Sequence, residues 1–201
     1  MICYEFKGGT GTSSRKLPDK LSGYTIGALV QVNFGRRYQL TVAGAPVGQH
    51  ITEDALFTRG KNPFREQGSL IVILATNAPL LPYQLKRVAK RATLGMARTG
   101  SLGGNGSGDI FLAFSTANRG VAYPRSASSG FDAPKLGQVQ VPSNELLDPI
   151  FAAAVLATEE AILNALIAAE TMTGKDNLRV SALPHDRLQE VLRRYNRFIE
   201  K

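Results

Sequence analysis

Apolar positions along the chain fall into short dense runs separated by glycine- and proline-rich stretches, and the spacing within each run assigns it an element. Tyr24-Thr-Ile-Gly-Ala-Leu-Val-Gln-Val-Asn33 is β-branched and apolar. Phe34-Gly35 then leads to a second such run, Tyr38-Gln-Leu-Thr-Val-Ala43, so the pair predicts a β-hairpin. Ser69-Leu-Ile-Val-Ile-Leu-Ala-Thr76 is apolar at odd and even positions alike, which predicts a strand covered on both faces. After Asn77-Ala-Pro79, Leu81, Leu85, Val88, Ala92 and Met96 recur at steps of four and three, the period of a helix buried along one face. Asp109-Ile-Phe-Leu-Ala-Phe-Ser-Thr116 predicts another strand. A long helix apolar on almost every side is expected from about Asn144 to Thr171, with Gly174 as its stop. A short strand, Leu178–Ala182, precedes a last helix from His185 to Lys201 with Leu188, Val191, Leu192, Tyr195 and Ile199 inward. Residues 44–67 and 117–142 lack periodicity and read as surface excursions. The order β-β-β-α-β-α-β-α predicts a layered α/β fold in a single domain spanning residues 1–201.

Composition narrows the function classes. One cysteine, Cys3, excludes an intramolecular disulfide framework and a cysteine-based zinc site. His50 and His185 stand far apart, so neither metal nor other cofactor is expected. Continuous apolar runs such as Ile150–Ala157 are shorter than the ~20 residues of a membrane span. Met1-Ile-Cys-Tyr-Glu-Phe-Lys7 lacks the basic-then-apolar form of a signal peptide, which favours a cytoplasmic location.

The net charge of +8 is unevenly placed. Residues 1–100 hold 14 Lys/Arg against 5 Asp/Glu, whereas residues 101–201 hold 10 against 11. Lys86, Arg87, Lys90 and Arg91 fall off the apolar stripe of their helix, as a solvated face or as a surface for an anionic partner. No nucleic-acid-binding motif accompanies the charge, which argues against that class of partner.

Two glycine-rich segments are candidates for chemistry. Gly8-Gly-Thr-Gly-Thr-Ser-Ser-Arg15 reads as a loop but does not fit a phosphate-binding spacing. Gly103-Gly-Asn-Gly-Ser-Gly-Asp109 stands directly before a predicted strand. Asn105-Gly106 is a turn signal in its own right, because both residues tolerate positive φ. The segment also places a hydroxyl between two glycines at the mouth of a strand. A serine after glycine can attack its own preceding carbonyl when the backbone geometry allows, moving the acyl group from nitrogen to oxygen. Hydrolysis of that ester leaves Ser107 as a new N-terminus, with a nucleophilic hydroxyl and an α-amine of pKa about 7.7–8.0 that serves as base.

Gly104-Asn-Gly-Ser-Gly-Asp-Ile-Phe-Leu-Ala-Phe-Ser-Thr-Ala-Asn118 resembles the autocleavage region of the DmpA-like L-aminopeptidase/D-esterases and β-aminopeptidases. Ile2–Arg15, Leu29–Gly35, Val42–Gly48 and Ala75–Pro82 resemble further motifs of that family in the same order, so the likeness runs from residue 2 to about residue 170. The resemblance implies an αββα sandwich, similar in logic to N-terminal nucleophile hydrolases. It implies self-cleavage between Gly106 and Ser107 into parts 1–106 and 107–201, with Ser107 as nucleophile. It also matches a second serine and a glutamate to Ser143 and Glu145, which stand two residues apart as an N-cap and a first-turn acid would. Tyr4 and Asn33, with Asn77 as a third, are the implied oxyanion or substrate-binding candidates. The implied substrates are short peptides, amino-acid amides or esters, and the implied assembly is a homo-oligomer. Family precursors begin upstream of the Ile2–Glu5 motif, so the resemblance implies that the N-terminal part is missing here. Two other readings stay open: acyl transfer on the same fold, whose ornithine acetyltransferase-like members use threonine, and a non-catalytic fragment or basic binding module.

Overall fold

The computed structural model describes residues 1–56, 68–119, 121 and 137–200. The main sheet has four strands in the order β3 (Thr10–Lys16), β4 (Thr25–Asn33), β5 (Ser69–Thr76) and β6 (Ile110–Ser115). The pairs β3–β4 and β4–β5 are antiparallel, whereas β5 and β6 run parallel. A parallel pair needs a crossover, and helix α2 (Pro82–Arg98) supplies it. Pro82 opens this helix with φ already suited to it. The Gln84 side chain accepts the Leu81 N–H at 3.0 Å, and the Thr99 hydroxyl closes the far end on the Met96 carbonyl at 2.7 Å. Helix α3 (Leu147–Ile167) lies beside α2 across β3 and β4, while α2 covers β5 and β6.

Alternation along the strands fixes which side is core. Ile26, Ala28, Val30 and Val32 of β4 and Leu70, Val72 and Leu74 of β5 are buried beneath the helices. They pack with Val88, Ala92 and Met96 of α2 and with Ile150, Ala154, Ala157, Ala161 and Ile162 of α3. By length and composition, the helical stretch Asn144–Ile167 is apolar enough to cross a membrane; most of it is buried against the sheet. On the outer side, Arg87 and Arg91 lie over the Phe151 ring at 5.2 and 4.1 Å, so half of the basic quartet packs on the neighbouring helix.

Several sequence expectations change. The partner of 25–33 is Thr10–Lys16, the segment read as a glycine-rich loop, and not 38–43. Arg37 explains the loss of the expected hairpin. Its buried guanidinium donates to the carbonyls of Tyr4, Glu5, Ile51 and Glu53 and lies 3.3 Å over the Phe6 ring. These bonds wind Arg37–Gln39 into a 3-10 turn, leaving Val42 a lone bridge to Ala45. The short hairpin of β1 (Ile2–Cys3) and β2 (Phe6–Lys7) is held by the same arginine.

Helix α3 ends at Ile167 rather than near Gly174, because the chain turns into a small hairpin, β7 (Met172–Thr173) with β8 (Arg179–Val180). The last helix, α4 (His185–Arg194), ends before Tyr195, and Asn196 turns the chain at φ +54. Tyr195 and Ile199 are therefore exposed, while Leu188 and Val191 are buried as expected. A short helix, α1 (Val47–His50), meets the turn after α4 through a 2.8 Å hydrogen bond between His50 and Tyr195. Among the described residues the sheet is covered on one face only, so the two-sided coverage expected for 69–76 is met on one side. Residues 57–67 of the first excursion and residues 120 and 122–136 of the second lie outside the described residues.

Candidate active site

The parallel register of β5 and β6 brings their two N-terminal heads together, and each head carries a glycine–serine pair. Gly68-Ser69 opens β5; Gly106-Ser107-Gly-Asp109 leads into β6. A turn closed by Ser107 N–H on the Gly104 carbonyl, 2.8 Å, delivers the second segment to the first. The Gly108 N–H then donates to Ser69 Oγ at 2.9 Å, and Asp109 Oδ1 accepts the Leu70 N–H at 2.7 Å. One hydroxyl and one carboxylate are thus fixed to backbone on neighbouring strand heads, with the half-buried Ser107 between them in sequence.

The end of β4 completes the cluster. Asn33 stands opposite Ser69 in the antiparallel register, and its Oδ1 accepts the Ile2 N–H at 3.0 Å. A carbonyl so engaged orients the amide, leaving its Nδ2 as the donor end. The contact at Gly68 is closer still. A Cβ there would lie 2.2 Å from the Asn33 carbonyl oxygen, so only glycine fits beside this strand end. By alternation Asn33 and Ser69 share the sheet face opposite the helices.

The structure separates the remaining candidates. Tyr4 follows the same β4 end, its N–H donating to the Phe34 carbonyl at 2.8 Å. Its side chain is fully buried, edge-on to Phe34 and hydrogen-bonded to Thr99 Oγ1 at 2.7 Å, which is the setting of a packing aromatic. Asn77 lies past the other end of β5, where its Oδ1 accepts the Thr25 N–H at 2.8 Å. Ser143 and Glu145 are exposed ahead of α3. That helix runs with Asn164 at Thr12 and its start near Pro142, which is 3.5 Å from Gln84 Nε2 at the opening of α2. Ser143, Glu145 and Asn77 therefore sit where β5 and β6 finish, and Ser107 sits where they begin. An eight-residue strand puts the two ends roughly 20–25 Å apart. The proton relay expected from Ser107, Ser143 and Glu145 does not come together in this arrangement.

Sequence reasoning passed over Ser69 and gave Asp109 no role. The signal for Ser69 was present, since Gly68-Ser69 before an apolar strand is the pattern that singled out Gly106-Ser107. A cavity of about 200 Å3 elsewhere, between Phe6, Ile51, Asp54 and Arg187, is lined by none of these residues.

The family model "Peptidase family S58" matches residues 1–180. The chain is 48% identical over 206 aligned residues to the beta-peptidyl aminopeptidase BapA of Sphingosinicella microcystinivorans, covering 98% of this chain and 50% of that protein. Among solved structures, the L-aminopeptidase D-Ala-esterase/amidase from Ochrobactrum anthropi superposes with a TM-score of 0.85 at 49% identity, over 99% of this chain and 51% of that one. That structure is described as a prototype for the serine aminopeptidases and a new variant of the Ntn hydrolase fold. A Burkholderia sp. beta-aminopeptidase superposes with a TM-score of 0.81 at 44% identity, over 96% of this chain and 51% of that one. The chain spans about half the length of the relatives it matches.

Proposed function

The chain belongs to peptidase family S58, with the α/β layering of the DmpA-type Ntn hydrolases, and from that premise we propose that it is a self-processing serine aminopeptidase. It releases N-terminal residues from short peptides, amides or esters, with Ser69 rather than Ser107 as the nucleophile. One observation carries the choice of serine: Ser69 Oγ is the hydroxyl held in the cluster, 2.9 Å from Gly108 N–H and next to the peptide whose other side is Gly68. Asp109 is fixed one residue away on the Leu70 N–H, and Asn33 faces Ser69 across the register.

Processing starts with Ser69 Oγ attacking the Gly68 carbonyl carbon. The Gly68–Ser69 C–N bond breaks as the C–O bond forms, and the hydroxyl proton passes to the departing amine. Water then hydrolyses the ester, leaving a Gly68 carboxylate and a free Ser69 amine. That amine, of ordinary pKa about 7.7–8.0, takes the Ser69 hydroxyl proton in each later turnover. The hydroxyl attacks the substrate carbonyl, the leaving amine receives the proton, and water resolves the acyl-enzyme. Asn33 Nδ2 and the Gly108 N–H are the donors that answer the charge developing on the carbonyl oxygen. Ser107 and Asp109 form the polar side of the relay.

Intact mass under denaturing conditions tests the assignment. Fragments 1–68 and 69–201 are expected from the processed chain, and a single mass from Ser69→Ala. Ser69→Ala is also expected to lose more than about 10^3-fold in aminoacyl-amide hydrolysis, as removal of a nucleophile does. Fragments 1–106 and 107–201 would return the role to Ser107. Rate against pH is expected to rise with deprotonation of the Ser69 amine and level off above about pH 8; a rate flat from pH 6 to 9 contradicts an amine base.

A further inference from the structure

Asn33 is exposed at the end of β4, where water leaves a side-chain amide free to turn. Among the described residues one hydrogen bond holds it, from the Ile2 N–H to its Oδ1 at 3.0 Å. A main-chain N–H can only donate, so it takes the amide oxygen and turns Nδ2 the other way. The direction of that donor therefore follows the place of Ile2, in the hairpin of β1 and β2.

The hairpin is built against the preference of its own turn. Cys3 pairs with Phe6, which leaves Tyr4 and Glu5 as a two-residue loop. Both have left-handed backbone, φ +50 and φ +63, as a type I′ turn requires and as Asn-Gly supplies without strain. A tyrosine and a glutamate keep that geometry only where the surroundings hold them, and strain of this kind gathers at functional sites. Both are fully buried, and their side chains are anchors. Tyr4 packs on Gly35, where a Cβ would stand 2.5 Å from the ring, and its hydroxyl meets Thr99 past the end of α2 at 2.7 Å. Its N–H reaches the carbonyl of Phe34, next after Asn33. The Glu5 carboxylate accepts the Arg37 N–H at 3.2 Å, and the Arg37 guanidinium returns to the carbonyls of both turn residues at 3.0 and 2.7 Å.

We infer that this hairpin is a positioning device, in which Tyr4, Glu5 and Arg37 hold Ile2 so that its N–H aims the Asn33 amide at the Ser69 cluster. The catalytic consequence rests on the reading of Asn33 Nδ2 as an oxyanion donor to the Ser69 reaction; the orientation itself does not.

Ile2→Pro deletes the one N–H and leaves the three anchors in place. In the Ser69→Ala chain, NMR relaxation of the Asn33 side-chain NH2, assigned by its loss in Asn33→Ala, is expected to report a rigid amide. Adding Ile2→Pro should lower its order parameter from about 0.85 to below about 0.6. Self-cleavage followed by intact mass after cell-free synthesis is the second readout. Asn33→Ala should slow it roughly 10^2- to 10^3-fold, and Ile2→Pro about tenfold or more, as a misplaced group does. The double variant should be no slower than Asn33→Ala alone, because a residue acting through Asn33 then has nothing left to position. Tyr4→Phe removes only the hydroxyl contact with Thr99 and should show the same non-additivity on a smaller scale; it carries the comparison if Ile2→Pro loses the wild-type circular dichroism. An Asn33 amide equally ordered in the variants overturns the inference, and so does slowing that multiplies with that of Asn33→Ala. An Asn33→Ala chain that cleaves at the wild-type rate removes the donor role of Asn33 instead, and the relaxation data still decide the orientation.

Discussion

At Gly68 the backbone of one strand head passes so close to the next that a single methyl group decides whether the cluster forms. An added Cβ would stand 2.2 Å from the Asn33 carbonyl oxygen, whereas at Gly108 the nearest atom to an added Cβ is Ser69 Oγ at an ordinary 3.5 Å. Gly68→Ala is therefore expected to move the strand heads apart, cost roughly 1–3 kcal/mol and stop self-cleavage. Gly108→Ala is expected to keep both stability and cleavage; intact mass and thermal melts of the two variants check the contrast. Arg37 works at the same scale on the other side of β4. Burial lowers its pKa to about 10, partly offset by Glu5, Asp54 and Glu53, so it stays charged at neutral pH. Arg37→Met strands the carbonyls of Tyr4, Glu5, Ile51 and Glu53. A loss on the order of 3–5 kcal/mol in urea unfolding is expected, as for other broken buried charges. The residues of the site were half legible in advance. The rule of a serine after glycine at a strand mouth picked Ser107, which lies in the cluster, but the same rule fits Ser69. Only the parallel pairing of β5 and β6 shows that the two serine-bearing strand heads lie side by side while Ser143 and Glu145 lie at the far end.

The elements were legible where apolar side chains mark a core face. β4, β5, β6, α2 and α3 all follow the hydrophobic pattern to within a few residues. β3 did not, and its contact with α3 explains why. Helix α3 lies so close that a Cβ on Gly11 would meet the Ala161 carbonyl at 2.0 Å, so the inward side of β3 has no room for an apolar side chain. Polar groups do the joining: Glu160 of α3 takes hydrogen bonds from Ser13 and Arg15, and Asn164 donates to the Thr12 carbonyl at 2.9 Å. A strand held by glycine, serine and arginine carries no period-two apolar signal and reads as a loop. The Ser13 hydroxyl first, and then Arg15, hold the Glu160 carboxyl below its ordinary value of 4.5. A carboxylate depressed in the folded state contributes stability that is present above its unfolded pKa and is lost as pH falls through the folded one. Denaturant unfolding between pH 6 and pH 3 is thus expected to show a loss of stability on acidification that Ser13→Ala reduces. An unchanged slope in that variant would mean that Glu160 is not linked to folding through Ser13.

At the scale of the whole molecule, the apolar run of β5 anticipated cover on both faces, and the described residues provide it on one. The asymmetry bears on catalysis because Ser69 and Asn33 point to the uncovered side. Hydrogen-bond donors stabilise a developing oxyanion strongly only where water is kept out and the dielectric is low. With one wall among the described residues, Asn33 Nδ2 and the Gly108 N–H act in competition with solvent, and no described residue on the far side holds a peptide in line with Ser69 Oγ. Residues 1–201 alone are then expected to turn over an aminoacyl p-nitroanilide slowly. Addition of the complementary half, the part of its relatives' length that the chain does not match, should raise kcat/KM by about 10^2-fold or more, in the range that positioning and water exclusion supply. Leu112→Asp, a change on the exposed face of β6, should forfeit that gain without lowering the basal rate, since Leu112 touches none of the reacting groups. Initial rates titrated against the complementary half measure both effects. Equal turnover with and without it would mean that the strand heads of β5 and β6, with the end of β4, are already a complete site.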